Sequence, residues 1–298
     1  MRHFLLAAGL VASAVAAQPA PQVQHVPDFG DFLVVDGDTV WMTNRGRLEH
    51  WGRGGLIAKV AMARPCGAMA MAGGAVWVAD CVAGAVHRVD PATATITATV
   101  NTGIADKSGE LNVVAGAGSV WVASAAAGEV ARIDPASATI TARIAASPGT
   151  SYLAFGHGAL WAVSAGTRTL QRIDPATNAV VARVPLGNQP GFLAAGEGAV
   201  WVQEQGDGTL ARISPATNSV TGRVKVGANL KYGDIDTGGG RVWLRTTDDQ
   251  EYAVIDAASL AILARVGKPV GSGALRWTPA GVWTSAHDVK TLTWWPAS

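Results

Sequence analysis

The chain has 298 residues, with 23 Lys and Arg against 22 Asp and Glu, a formal net charge of +1 and 49% apolar residues. A charge balance this even excludes the basic footprint of a nucleic-acid-binding surface. With 36 Gly, the composition is that of an ordinary turn-rich β protein.

Residues 1–17 read as a signal peptide. Arg2 and His3 form a basic start, Phe4–Val15 is an apolar run too short to span a bilayer, and Val15-Ala16-Ala17 offers small residues before Gln18. No cysteine adjoins that point, which excludes a bacterial lipoprotein anchor. No later stretch is apolar enough to cross a membrane. Residues 18–298 are therefore expected to be exported, periplasmic or secreted, and to form one domain.

Gln22–Val26 comes next, a strand-like segment with no partner of its own, followed by an inner strand at Phe32–Val35. From there one unit recurs to the end of the chain, and Gly198–Gly227 is its clearest copy. In Ala199–Gln203 and Thr209–Ile213, apolar and β-branched residues alternate at the period of short strands. Gln205-Gly206-Asp207-Gly208 joins them as a hairpin loop, because Gly takes positive φ without steric cost. Ser214-Pro215-Ala216-Thr217 follows as a type I turn, with proline presetting φ at its second place. Val220–Val226 and the preceding run Phe192–Ala195 complete four strands of about five residues.

Each unit is marked by a tryptophan in its second strand: Trp41, Trp77, Trp121, Trp161, Trp201, Trp243 and Trp283. A repeat of about 40 residues with four strands is the signature of a propeller. The expectation is all-β: a seven-bladed β-propeller of four-stranded antiparallel blades. The last unit stops at the turn Pro296-Ala297-Ser298, which elsewhere precedes the outermost strand. Gln22–Val26 is expected to supply that strand and close the ring.

Cys66 and Cys81 flank the Gly73-Gly74 turn of the second unit. Direct partners in a hairpin centred there sum to 147, as 66 and 81 do. An oxidised bridge is expected in an exported protein. The marker tryptophans read as inter-blade packing, while Trp51, Trp277, Trp294 and Trp295 break the pattern, the last two beside the closing seam. Gly-rich segments such as Gly156-His157-Gly158 precede strands rather than helices, so they are turns and not phosphate cradles. No nucleophile elbow, His-Glu-x-x-His pair, calcium loop or Walker loop occurs. His25, His50, His87 and His157 are expected to face outward.

Loops between the second and third strands, and between successive blades, share one face around the channel, where function concentrates. Candidate ligand-binding residues there are Asp80, Tyr152, Glu204, Tyr232, Asp234, Arg245 and Arg276; Glu204 and His287 are the candidate catalytic pair. Three residues beyond each marker stand Asn44, Asp80, Ser124, Ser164, Glu204, Thr246 and Ala286, a prospective polar ring around the mouth. Asp236 and Arg276, equivalent in neighbouring blades, suggest a structural ion pair.

The repeated Gly-Ala-Val-Trp-Val, Arg-Ile-Asp-Pro-Ala-Thr-Asn and closing Val-Gly resemble the YVTN-type β-propeller repeat proteins. They are also similar to the broader group that includes streptogramin B (virginiamycin B) lyase. That resemblance implies the same fold over the mature chain. For the lyase it implies elimination across an ester linkage of a cyclic depsipeptide, with a metal ion held by His and Glu on the loop face. Glu204 matches the Trp-x-x-Glu position, and His287 is the sole His on that face. Two readings stand. The first is a binding or scaffold module that engages a protein, peptide, glycan or small molecule, needs no cofactor and acts as a monomer. The second is a metal-dependent lyase or hydrolase using a divalent ion such as Mg.

Overall fold

Alternating side chains and capped turns shape the repeats into short antiparallel strands, four in each of the first six and three in the last. In the computed structural model, which describes residues 20–107, 110–230, 233–246, 251–268 and 272–297, these strands and Gln22–His25 form seven four-stranded sheets. The expected signal peptide and Tyr232 lie outside those residues. In the fifth blade, Pro190–Gly196 lies innermost, followed by Ala199–Glu204, Thr209–Ser214 and Ser219–Lys225. Among the described residues no helix is long and apolar enough to cross a membrane.

The turns behave as their residues dictate. Asp134 Oδ1 accepts from the amides of Ala136 (2.7 Å) and Ser137 (3.1 Å), and Asp90, Asp174 and Asp256 cap their own turns alike. Each such turn ends on a left-handed residue, Asn178 and Asn218 among them (φ 55° and 51°), a conformation that Asn adopts more readily than most residues.

The marker tryptophans are the core. Trp41, Trp77, Trp121, Trp161, Trp201 and Trp283 are fully buried, and Trp243 is half-buried. The indoles of Trp77, Trp121, Trp161, Trp201 and Trp243 each donate to the carbonyl five residues earlier, at 3.0–3.1 Å. That bond satisfies the one polar atom of a buried ring. Between blades an arginine clamp recurs. Nη1 of Arg88, Arg132 and Arg172 donates to the carbonyl of Pro135, Pro175 and Pro215 in the next blade's turn, at 3.2, 2.6 and 2.8 Å. Arg212 repeats the contact on Ala258 at 2.8 Å. The arginine of the Arg-Ile-Asp-Pro repeat thus joins neighbours while its aspartate shapes the turn.

Ring closure is direct. Gln22–His25 pairs antiparallel with Thr291–Pro296, running from Gln22 opposite Trp294 to His25 opposite Thr291. Val26 follows it inward, 1% exposed, and packs with Leu33, Trp283 and Trp294. Trp294 lies 4.9 Å from Trp283, and Trp295 meets Tyr252 edge-on at 5.5 Å. Trp51 is buried and donates to Glu49. Packing accounts for all three.

Two details depart from the sequence reading. The hairpin of blade two keeps the expected register at Ala70 opposite Trp77, but further out Pro65 pairs with Asp80. Two extra residues therefore lie between, and the cysteines are diagonal neighbours rather than direct partners. The disulfide Cys66–Cys81 still forms, because its Cα atoms lie 6.0 Å apart, within ordinary bridging distance. His87 does not face solvent. It is buried, with Nδ1 2.9 Å from Thr99 Oγ1 and Nε2 3.7 Å from Asp80.

Candidate functional site

The residues that line the channel mouth stand nine places before each marker tryptophan: Phe32, Ala68, Asn112, Tyr152, Phe192, Asp234 and Ala274. Their spacing puts one from each blade at the loop-facing end of its inner strand. Phe32 and Phe192 reach across to 5.9 Å between ring centroids, and Tyr152 lies 4.6 Å from Phe192. With Ala68 they belong to one apolar cluster. Three aromatic rings therefore close the channel at this face. Burial, followed by the nearby charges of Glu110 and Asp106, raises the Tyr152 phenol above its ordinary range.

Around this plug the inner segments of blades two and three bond to one another. Ala68 N donates to Leu111 O at 2.9 Å, and Val113 N to Ala68 O at 2.8 Å. Gly67 permits that approach: at φ +79°, a Cβ there would stand 1.6 Å from Leu111 O.

Beside the plug a cavity of about 500 Å³ opens on the loop face between blades one and two. Its lining includes the buried Asp31, Phe32, Cys66 and Gly67 and the exposed Glu110, Phe29, Arg45, Arg64 and Val82. The backbone of Asp31 is fixed from two blades, since its amide donates to Thr43 O at 2.9 Å and Ser285 Oγ donates to its carbonyl at 2.5 Å. Burial pushes the Asp31 carboxyl well above the usual range; the charges of Glu110, Asp234 and Asp288 add to this and Arg245 opposes it. Glu110 is exposed to solvent, but protein atoms crowd it on the side of the cavity. That desolvation, with Asp234 adding, raises its pKa to about 7.

The predicted site residues divide sharply. Arg276 pairs with Asp234, Nη1 to Oδ2 at 2.5 Å, which corrects the expected Asp236–Arg276 pair. Asp236 instead accepts from the amides of Trp277 (2.9 Å) and Thr237 (2.8 Å). The long guanidinium reaches the carboxylate one step nearer the loop face. Burial opposes the charge on Arg276, but Asp234 and Asp236 outweigh it and raise its pKa. Arg245 is fully buried and donates to the carbonyls of Thr246 (2.8 Å), Glu251 (2.6 Å) and Ser285 (3.3 Å). Burial pulls its pKa below the ordinary value.

The expected polar ring makes its contacts within the protein. Asn44 Oδ1 accepts from Phe29 N and Arg45 N, Asp80 from the amides of Ala63, Val82 and Ala83, and Ser164 bonds to Pro148 and Thr167. Those residues are buried and pin their own loops. Glu204 belongs with them: Arg223, Thr209 and the amide of Gly187 all donate to it. Burial alone would raise its pKa, but these donors outweigh burial and lower it.

His287 stacks on Phe29 at 3.9 Å, its Nε2 contacts Ser272 Oγ, and its Nδ1 lies 2.6 Å from Asp288 Oδ1. Burial lowers its pKa against the pull of Asp288. The structure thus brings Tyr152, Asp234 and Arg276 to the mouth and leaves Asp80 and Glu204 in separate loop caps. Among the described residues no three of His, Cys, Asp and Glu are grouped to hold a metal ion.

Sequence reasoning missed Asp31, Phe29, Phe32 and Phe192. The nine-residue offset from the tryptophan was a signal able to find the aromatic plug. Asp31 left no such signal, because its importance rests on which loops surround it.

A family described as a repeat of unknown function (DUF6923) matches residues 104–221, which span blades three to five. No curated protein matches the chain. Among solved structures, virginiamycin B lyase from Staphylococcus aureus superposes with a TM-score of 0.78 at 15% identity, covering 94% of this chain and 99% of that one. A streptogramin B lyase gives 0.75 at 14% identity, covering 92% and 97%. The Myceliophteria thermophila Cps50 (Swd1) β-propeller domain gives 0.75 at 12%, covering 93% and 100%. Likeness at such identities is likeness of fold.

Proposed function

We propose that this chain is an exported binding module that holds a small ligand, or one end of a larger one, in the cleft between blades one and two. The observation behind this reading is the cavity of about 500 Å³ beside a channel mouth stopped by three aromatic rings. A concavity in which apolar walls meet convergent polar groups is a usual form of ligand site. Export is supported by the Cys66–Cys81 bridge, since structural disulfides persist in oxidising compartments. Metal-dependent elimination of the streptogramin lyase kind has less support. The donors around Glu204 occupy both of its oxygens, so the donor set that such a metal requires is not assembled there.

The test is a thermal-shift screen of small molecules and short peptides against the wild type and Ala63→Trp. Ala63 lines the cleft and is exposed, so an indole there fills the space without disturbing the core. Ligands that stabilise the wild type and not the variant place binding in the cleft. Ligands that stabilise both equally overturn the reading.

A further inference from the structure

We infer that this cleft receives a singly charged organic cation, an ammonium or guanidinium group borne on an apolar body. The inference rests on the cleft being a ligand site. Five buried carboxylates have partners: Glu49 with Arg47, Asp80 with three amides, Glu204 with Arg223, Asp234 with Arg276 and Glu251 with Thr284. Asp31 is the exception. It is 8% exposed, it lines the cavity, and no hydrogen-bond donor meets its carboxylate among the described residues. Its oxygens open on the cavity instead of on a protein donor, so they are free to accept from a cationic group that enters from outside.

Arg245 lends Asp31 a favourable field. Its guanidinium donates to the carbonyls of Thr246, Glu251 and Ser285. Glu110 lines the same space, so two carboxyls stand where a cation would sit. The rings of Phe29 and Phe32 border it, and a cation over an aromatic face is attracted by the ring quadrupole. Phe29 and Val82 are 40% and 65% exposed and give an apolar body a surface to cover. Arg45 and Arg64 also line the cleft and are exposed. Their charges oppose a second cationic centre, so a monocation is favoured over a polyamine.

Protonation supports the assignment. Asp31 faces Glu110, Asp234, Asp288 and Arg245, Glu110 faces Asp234, and His287 adjoins through Phe29. The raised carboxyl pKa values mean that a bound cation expels protons, and that affinity grows as pH rises through about 7.

The experiment is isothermal titration with phenethylamine, 2-phenylethanol, 3-phenylpropionate and spermidine at pH 8 and pH 5.5. Phenethylamine is expected to bind at least tenfold more tightly than the neutral, anionic and polycationic probes. Its affinity is expected to drop severalfold at pH 5.5, and its apparent enthalpy to depend on the buffer's ionisation enthalpy. Asp31→Asn and Glu110→Gln should each weaken it about tenfold; Glu110 lies on a solvent-reached loop, so its variant tests the idea even if Asp31→Asn folds poorly. Equal binding of 2-phenylethanol, insensitivity to Glu110→Gln, or no binding of any probe overturns the inference. Neutral binding abolished by Ala63→Trp would overturn the cation alone and leave the cleft standing.

Discussion

Replacing both cysteines by alanine is expected to destabilise the protein by about 3 kcal/mol. The bridge closes a loop with a sequence separation of 15, and on the chain-entropy model a loop of that size restricts the unfolded chain by about that amount. The native state loses little, because the same loop is already held by backbone bonds: Cys66 N to Ala79 O and Cys81 N to Arg64 O, both at 3.0 Å. With an unfolding entropy of about 2.1 cal/mol/K per residue over about 280 residues, the transition should drop by about 5 °C. Differential scanning calorimetry of the oxidised wild type and of Cys66→Ala/Cys81→Ala measures it directly. Cys66 also lines the cleft, so the variant should lose ligand affinity as well as heat stability. Transitions within 1 °C of each other, or two free thiols titrated in the unfolded oxidised protein, would refute the reasoning.

Val26→Ala should cost about 2 kcal/mol by urea titration, because it removes two buried methyl groups from the closing seam; deleting residues 18–28 should lower the melting temperature further. Arg172→Ala removes a charge-assisted bond to the next blade and a cation over the Trp161 ring at 5.4 Å, a loss of about 2 kcal/mol in the same titration. Glu204→Gln should cost about 2 kcal/mol at pH 7 by leaving Arg223 poorly matched. Its folded pKa is lowered, so the stability it provides is present above the unfolded value of about 4.5 and disappears as pH falls through the folded one. In melting curves from pH 7 to pH 3, the variant's deficit should shrink. Asp31 and Glu110 act in the opposite sense. Their folded pKa values are raised, so their contribution is full below the unfolded values of about 4 and is lost as pH rises through the folded ones, about 7 for Glu110. Asp31→Asn with Glu110→Gln should flatten that decline.

The blades were legible in the sequence because everything that makes one is local. Strand alternation, Gly-rich hairpins and the Asp-Pro turn act within some 40 residues, and the repetition itself shows that each sheet needs neighbours. The closing strand was legible too, because the last repeat lacked an element that an unpaired segment near the other end was able to supply. The cleft was not. Phe32 meets Phe192 only because the ring brings blade one opposite blade five. Asp31 lies near Glu110 and Asp234 only because three blades converge on one mouth. A polar residue looks the same in a sequence whether it binds a ligand or caps a loop. Asp80 and Glu204 do the second, because backbone amides and an arginine reach them first, and that competition for partners is decided only once the chain is folded.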